Sequence, residues 1–143
     1  MAMNFRHSSP SRIEAFRRLR KEFIAEHKLY TAADLAELAD KNASSEPDKW
    51  ASDKRSAGEI FGVVDDGIYL YPAFQFEESS GLAYPCIGQL IEWFCANQDG
   101  WRLALWLTQP HGMLEGGIPA DMLKDESIRV LEAAQATLFA ERG

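Results

Sequence analysis

Histidine and cysteine side chains are the first candidates for chemistry in this chain, since both act as metal ligands and catalytic groups. His7, His27 and His111 are far apart in sequence and show no metal-ligand spacing. Cys86 has no basic neighbour that would favour a thiolate. The chain also lacks a Walker-type loop, a dinucleotide-binding glycine pattern and a nucleophile elbow. We therefore expect no catalysis, no cofactor and no metal, and a protein that acts by binding other macromolecules.

The two cysteines, Cys86 and Cys95, are predicted to be free thiols of the core. On a single helix, their separation of nine positions would place them about 13 Å apart and on opposite faces. A disulfide requires Cα atoms within about 7 Å of each other, so the two residues are too far apart to be bridged.

Charge is distributed unevenly along the 143 residues, whose net charge is −7. Residues 1–28 carry seven Lys or Arg against three Asp or Glu, whereas residues 29–143 carry eight against nineteen. A surface this acidic suits a basic partner, and it confines any contact with nucleic acid to a local patch. The chain has neither a run of about 20 apolar residues nor a signal-peptide core, which predicts a cytoplasmic protein without membrane contact.

The elements that would position any site begin with three predicted helices. Ser11 opens a helix that runs to Lys28. Thr31 caps a second helix over Ala32–Ala39, and residues 41–45 form a polar turn. Ser45 is then expected to cap a third helix that ends near Gly58. Two short helices joined by a small turn have helix-turn-helix spacing.

Two faces of the first predicted helix stand out. Its apolar arc contains Ile13, Phe16, Leu19, Phe23 and Ile24. Beside this arc lies a basic stripe of Arg17, Lys21 and Lys28, which is either a solvated face or a contact with DNA or an acidic surface.

A β-hairpin is predicted next, because apolar runs over residues 60–64 and 68–71 are joined by Asp65-Asp66-Gly67. Pro72 cannot donate a hydrogen bond to a ladder, so the second strand should lie at an edge or end there. A hairpin directly after a helix-turn-helix is the arrangement of a winged helix.

The remaining chain is predicted to be helical. Helices are expected over residues 85–97, 100–107 and 127–141, with an irregular loop from Gln109 to Ile118 and a short turn of helix from Pro119. We expect glycines to keep this loop off the regular core. The core of this half should centre on Trp101, Leu105, Trp106 and Leu123. The last helix should gather Ile128, Leu131, Leu138 and Phe139 on one side.

A family resemblance rests on the motif Trp101-x-x-Ala104-x-Trp106-Leu107-x-x-Pro110-x-x-x-Leu114-x-Gly116-Gly117-x-Pro119-x-Asp121-x-Leu123, followed by Val130 in a helix. It resembles the C-terminal toxin-binding domain of Xre/MbcA/ParS-type antitoxins. Upstream, Tyr71-Pro72-Ala73-Phe74-Gln75-Phe76 is similar to a block found in a subset of such proteins. The resemblance covers roughly residues 30–143. It departs from the family at His111, where asparagine is usual, and at the end of the chain, which lacks the common His-Gly ending.

The resemblance implies a cytosolic antitoxin that covers the active-site cleft of a RES-domain toxin, an enzyme that degrades NAD⁺. Such antitoxins typically form homodimers and bind their own promoter through a helix-turn-helix. The chain would then be mainly α-helical, with a helix-turn-helix-like region and a β-hairpin wing over residues 1–76 and a helical toxin-binding module over residues 77–143.

Candidate contacts for each partner follow from this division. In the third helix, the residues able to reach operator DNA are Lys49, Lys54 and Arg55, although Glu46, Asp48, Asp53 and Glu59 flank them. The expected toxin contacts are the polar residues of the loop and of the chain end, namely Gln109, His111, Glu115, Glu141 and Arg142. Two other interpretations remain open: a winged-helix transcriptional regulator without a toxin partner, and a small enzyme. The loop itself could instead only set the angle between two helices.

Overall fold

The computed structural model describes residues 10–39 and 46–142, with the side chains of Pro10, Ala39 and Arg142 excepted. Within these ranges the fold is mainly helical with a small antiparallel sheet, which confirms the predicted fold class. The elements are α1 (Pro10–Glu26), β1 (Leu29–Tyr30), α2 (Ala32–Ala39), α3 (Pro47–Ser56), β2 (Val63–Asp65), β3 (Ile68–Pro72), α4 (Pro85–Phe94), α5 (Trp101–Leu107) and α6 (Ser127–Arg142). Short 3₁₀ turns cover Ala73–Gln75, Gly112–Leu114 and Pro119–Met122. No described helix is long and apolar enough to cross a membrane.

Helix α2 begins as its sequence predicts. The Thr31 hydroxyl accepts a hydrogen bond from the backbone N–H of Asp34 at 3.1 Å, and the Asp34 carboxylate accepts one from the N–H of Thr31 at 3.1 Å. This reciprocal pair satisfies two N–H groups that a helix start leaves without partners.

Two other predicted helix starts are wrong. Helix α1 begins at Pro10, so Ser11 lies in its first turn and is not its N-cap. Helix α3 has Glu46 as its N-cap residue, with Pro47 in the first turn, where its missing N–H costs nothing. Ser45 lies outside the described residues.

The hairpin closes through a two-residue turn, as the Asp-Gly pair predicts. Asp65 pairs with Ile68, and both turn residues have positive φ, 52° at Asp66 and 79° at Gly67. This geometry matches the right-handed twist of the strands. Strand β3 ends at Pro72 as expected, yet it is the central strand, because the short β1 pairs with it on the other side.

The main core joins the two halves of the chain. Phe23 of α1 packs edge-on against Trp101, with ring centroids 5.5 Å apart, and the Trp101 indole N–H donates to the carbonyl of Val64 at 2.9 Å. Phe61 and Val63 are fully buried in the same apolar cluster as α4, α5 and α6. A domain division at residue 76 stays a prediction, and the packing crosses that boundary.

The predicted centre of the core needs one correction, and the apolar side of α6 is only partly covered. Trp101, Trp106 and Leu123 are buried, but Leu105 is only partly buried. Helix α6 buries Val130, Ala133 and Ala134, while Ile128 is 72% exposed and Phe139 is 78% exposed. The small residues face the core because α6 lies close to its neighbours, which leaves two large apolar side chains in solvent.

The prediction of free thiols is correct for both cysteines, but the core position is correct for Cys86 only. Cys86 is buried and Cys95 is exposed, and both are free thiols. Helix α4 ends at Phe94, and Cys95 follows it with a left-handed φ of 55° that turns the chain away.

Candidate partner-binding surface

The loop between α5 and α6 is compact and tied to the core. The N–H of His111 donates to the carbonyl of Gly117 at 3.1 Å, and the N–H of Gly116 donates back to the carbonyl of His111 at 2.9 Å. Leu114 is only 3% exposed, so it anchors the loop, and the expectation that the whole loop stays off the core is wrong at this residue. Gly116 has a φ of +84°, which favours glycine there.

His111 positions the start of this loop. Its ring packs on the Trp106 indole with centroids 4.6 Å apart, and its Nε2 lies 3.4 Å from the carbonyl oxygen of Trp106. The Trp106 indole N–H in turn donates to the Thr137 hydroxyl of α6 at 3.1 Å. His111 is therefore half-buried against the scaffold, whereas Gln109 is exposed.

Glu115 belongs to a charged group at the start of α6. One guanidinium nitrogen of Arg129 donates to Glu115 at 3.0 Å, and another donates to Glu126 at 2.8 Å. The hydrogen bonds that Arg129 donates, first to Glu126 and then to Glu115, raise the pKa of its guanidinium. Because two carboxylates share one cation, this end of α6 keeps a net negative charge.

The chain end is held differently. Glu141 forms an ion pair with Arg102, whose guanidinium lies 5.4 Å from the centre of the Phe94 ring. Glu141 is thus engaged within the chain, and the side chain of Arg142 lies outside the described residues. Twelve residues separate Arg129 from Glu141, about 18 Å along a helix. The structure therefore does not bring the loop residues and the chain-end residues into one cluster.

Three exposed apolar residues were missed as surface features by sequence reasoning. Met113 at the loop tip is 56% exposed, and Ile128 and Phe139 project from the two ends of α6. The alanines of α6 could have indicated the exposure of Ile128 and Phe139. Ala133 and Ala134 form the buried face of the helix together with Val130, so large residues outside that face are exposed to solvent.

The predicted DNA-contact residues all lie on α3, and each is engaged. Lys49 pairs with Asp53 at 3.2 Å, and Lys54 pairs with Glu59 at 3.2 Å. Arg55 donates to the Tyr71 hydroxyl at 2.9 Å.

Arg55 makes a second contact with the hairpin. Its guanidinium lies 3.6 Å from the centre of the Tyr69 ring. Arg55 therefore serves the contact between α3 and β3, a role that its sequence neighbours did not indicate. Reading of a base by Arg55 would require it to leave both tyrosines.

Groups with catalytic potential are sparse in the described part of the chain. No cluster of three or more His, Cys, Asp or Glu side chains suited to a metal occurs there. Burial raises the pKa of the Cys86 thiol, and its sulfur lies 3.9 Å from the carbonyl oxygen of Leu123. A raised pKa favours the protonated thiol over the nucleophilic thiolate.

Comparison with protein-family models, curated proteins and solved structures finds no match to this chain.

Proposed function

We propose that this protein is a cytoplasmic antitoxin that binds a RES-type toxin and covers its NAD⁺ cleft. The resemblance of residues 101–130 to the toxin-binding domain of Xre/MbcA/ParS-type antitoxins supports this function. The observation that carries it is the pair of exposed apolar side chains, Met113 and Ile128, on adjoining elements beside the carboxylates of Glu115 and Glu126. Exposed apolar residues rimmed by charged ones are typical of protein interfaces.

The charge of this surface favours the same partner. A cleft that binds a dinucleotide must attract its pyrophosphate, so its mouth is expected to carry cationic side chains or helix N-termini. Glu115 and Glu126 share one arginine, and Asp125 is exposed beside them. With the exposed Lys124, this group has three carboxylates against two cations. Its net negative charge complements such a mouth, and complementary charge speeds association and selects the partner.

The test measures NAD⁺ consumption by the protein encoded beside this one, with and without this chain. Intact protein should form a complex with its neighbour and stop the loss of NAD⁺. The variant Met113→Asp/Ile128→Asp should lose most of this inhibition, because both substituted side chains are already exposed and the fold should be kept. Ile68→Asp is the matched control: Ile68 is 61% exposed at the hairpin, far along the chain from the proposed surface.

Two outcomes would contradict parts of the proposal. If the intact protein does not bind its neighbour, the antitoxin function is wrong. If the double variant inhibits as well as Ile68→Asp does, the interface lies elsewhere on the chain.

A DNA-binding regulator is the second candidate, and the observation in its favour is a hairpin that directly follows the α2–α3 pair. The intramolecular contacts of Lys49, Lys54 and Arg55 weaken the case for DNA binding. Retardation of the upstream DNA by this chain, in the absence of any neighbouring toxin, would support the regulator. Both activities in one chain would support an antitoxin that controls its own promoter.

A further inference from the structure

Helix α1 has an apolar stripe of which one half is buried and the other half is not. Phe23 is 3% exposed and packs against Trp101 and Phe74. Farther toward the N-terminus, Ile13, Phe16 and Leu19 are 40–49% exposed. Every residue from 11 to 19 is exposed, on both faces of the helix. This part of α1 is therefore not packed into the described core, and we call residues 11–19 the α1 arm.

Arg20 lies where the exposed arm meets the buried part of α1. Its guanidinium lies 4.3 Å from the centre of the Phe16 ring and 5.2 Å from that of Trp101. Its Nε is buried without a hydrogen-bond acceptor among the described residues. Helices shorter than about 12–15 residues are marginal in water unless an apolar face is packed. A surface that covers the stripe would therefore stabilise the arm.

Charge restricts what that surface can be. Residues 10–26 carry five basic and three acidic side chains, whereas residues 46–142 carry seven basic and sixteen acidic ones. An acidic surface attracts the arm, and a second copy of this chain provides one. Two arms packed against each other would instead bring their arginines together, and these like charges would repel each other.

A groove between α4 and α6 has the shape and chemistry to receive a helix. It has a volume of about 670 Å³ and apolar walls from Trp93, Leu138 and Phe139, with the carboxylate of Glu92 among its lining residues. Phe139 is 78% exposed, so most of its ring is available to a partner. Binding of an amphipathic helix in an apolar groove is a recurrent mode of recognition.

We propose that the α1 arm of one copy lies in the α4–α6 groove of a second copy, and that the two copies exchange arms reciprocally. Such an exchange uses the same two surfaces on each copy and closes a twofold-symmetric dimer. The apolar residues of each arm then cover the partner's Phe139, and the cations of the arm approach the partner's Glu92. This interface does not depend on the antitoxin function.

Light scattering during gel filtration tests the exchange. The intact protein should elute with a mass of twice 16.1 kDa. Phe16→Asp/Leu19→Asp, which alters the arm, and Phe139→Asp, which alters the groove, should each elute as monomers. Ile68→Asp is the matched control and should remain dimeric. All four substituted side chains are exposed, and near-UV circular dichroism checks that each variant keeps the tryptophan environment of the fold.

A mixing experiment separates reciprocal exchange from other arrangements. The arm variant keeps an intact groove and the groove variant keeps an intact arm, so an equimolar mixture should regain dimers through one of the two contacts. A dimeric Phe139→Asp protein would contradict the groove as the binding surface. A monomeric wild type would overturn the proposal, and flotation of that monomer with anionic phosphatidylglycerol vesicles would assign the arm to a lipid surface.

Discussion

The side-chain amide of Gln75 binds both backbone groups of Phe61. Its Oε1 accepts the N–H of Phe61 at 2.9 Å, and its Nε2 donates to the carbonyl of Phe61 at 2.8 Å and to that of Pro72 at 3.1 Å. Gln75 is fully buried, and it is the buried polar residue of the described core. The amide thus takes the place of a neighbouring strand for Phe61, which lies just before β2.

Replacement of Gln75 by leucine should lower the free energy of unfolding by about 2–4 kcal/mol, because the buried N–H and C=O of Phe61 lose their partners. Urea unfolding followed by tryptophan fluorescence measures this change. Gln98→Leu, at an exposed position, should change stability by less than about 0.5 kcal/mol. Equal stability of the two variants would mean that water or a backbone shift replaces the Gln75 contacts.

Gly100→Ala should destabilise the protein by about 1–3 kcal/mol, since the new methyl group has no room. A Cβ at this position would lie 2.5 Å from the carbonyl oxygen of Gly62 and 2.7 Å from the Phe61 ring. Gly112→Ala is the matched control, because a Cβ there meets nothing within 4 Å. Thermal unfolding of both variants tests the prediction, which fails if the two melting temperatures agree.

Trp106→Ala should cost about 3–5 kcal/mol, as expected for a large aromatic residue in a core. Trp106 is 8% exposed, packs against Phe94 at 5.4 Å between centroids, and donates to Thr137. Thr137→Val keeps the indole but removes this hydrogen bond and the one that the Thr137 hydroxyl donates to the carbonyl of Ala133 at 2.9 Å, so it should cost about 1–2 kcal/mol. A loss below 1 kcal/mol for Trp106→Ala in urea unfolding would show that the indole is not a core element.

Burial of Cys86 predicts a pH dependence of stability. Its pKa is raised in the folded protein, so the thiol stays protonated there while the unfolded chain ionises above about pH 8.5. The stabilisation is therefore fully present below that pH and is lost as the pH rises toward the folded pKa. The difference in unfolding free energy between wild type and Cys86→Ala should shrink as the pH rises from 7 to 10. A difference independent of pH would contradict the buried, protonated thiol.

Local sequence signals predicted the start of α2 and the hairpin turn, but they failed at the starts of α1 and α3. Thr31 marked the start of α2, and Asp66-Gly67 marked the turn of the hairpin, because each signal acts within four residues. Strand β1 was not predicted: it has two residues, and it exists only because the chain returns beside β3.

Long-range contacts explain the remaining differences. Gln75 reaches Phe61 across fourteen positions, and Arg55 reaches Tyr71 across sixteen, so neither role has a local pattern. The apolar pattern placed Ile128, Leu131, Leu138 and Phe139 on one side of α6, but it did not indicate that Ile128 and Phe139 are exposed. Candidate site residues were chosen because they are polar and lie in segments expected to be free to meet a partner. This criterion does not reveal intramolecular partners, which the structure shows for Glu141 and Arg55.

A structural role and a DNA-binding role of Arg55 predict different effects of its replacement. Arg55→Ala should lower the free energy of unfolding by about 1–2 kcal/mol, because it removes the hydrogen bond to Tyr71 and the contact with the Tyr69 ring. Lys49→Ala, which breaks only an exposed ion pair, should change stability by less than about 0.5 kcal/mol. Chemical denaturation of both variants provides the comparison.

Because Arg55 supports the hairpin, weaker DNA binding by Arg55→Ala would not by itself identify a contact with a base. Lys49→Ala/Lys54→Ala keeps Arg55 and its tyrosines, so it tests α3 as a DNA surface with the fold preserved. Loss of two phosphate contacts would lower the slope of log affinity against log salt by about two. An unchanged slope, together with the expected instability of Arg55→Ala, would assign Arg55 to the scaffold and exclude this face of α3 from DNA binding.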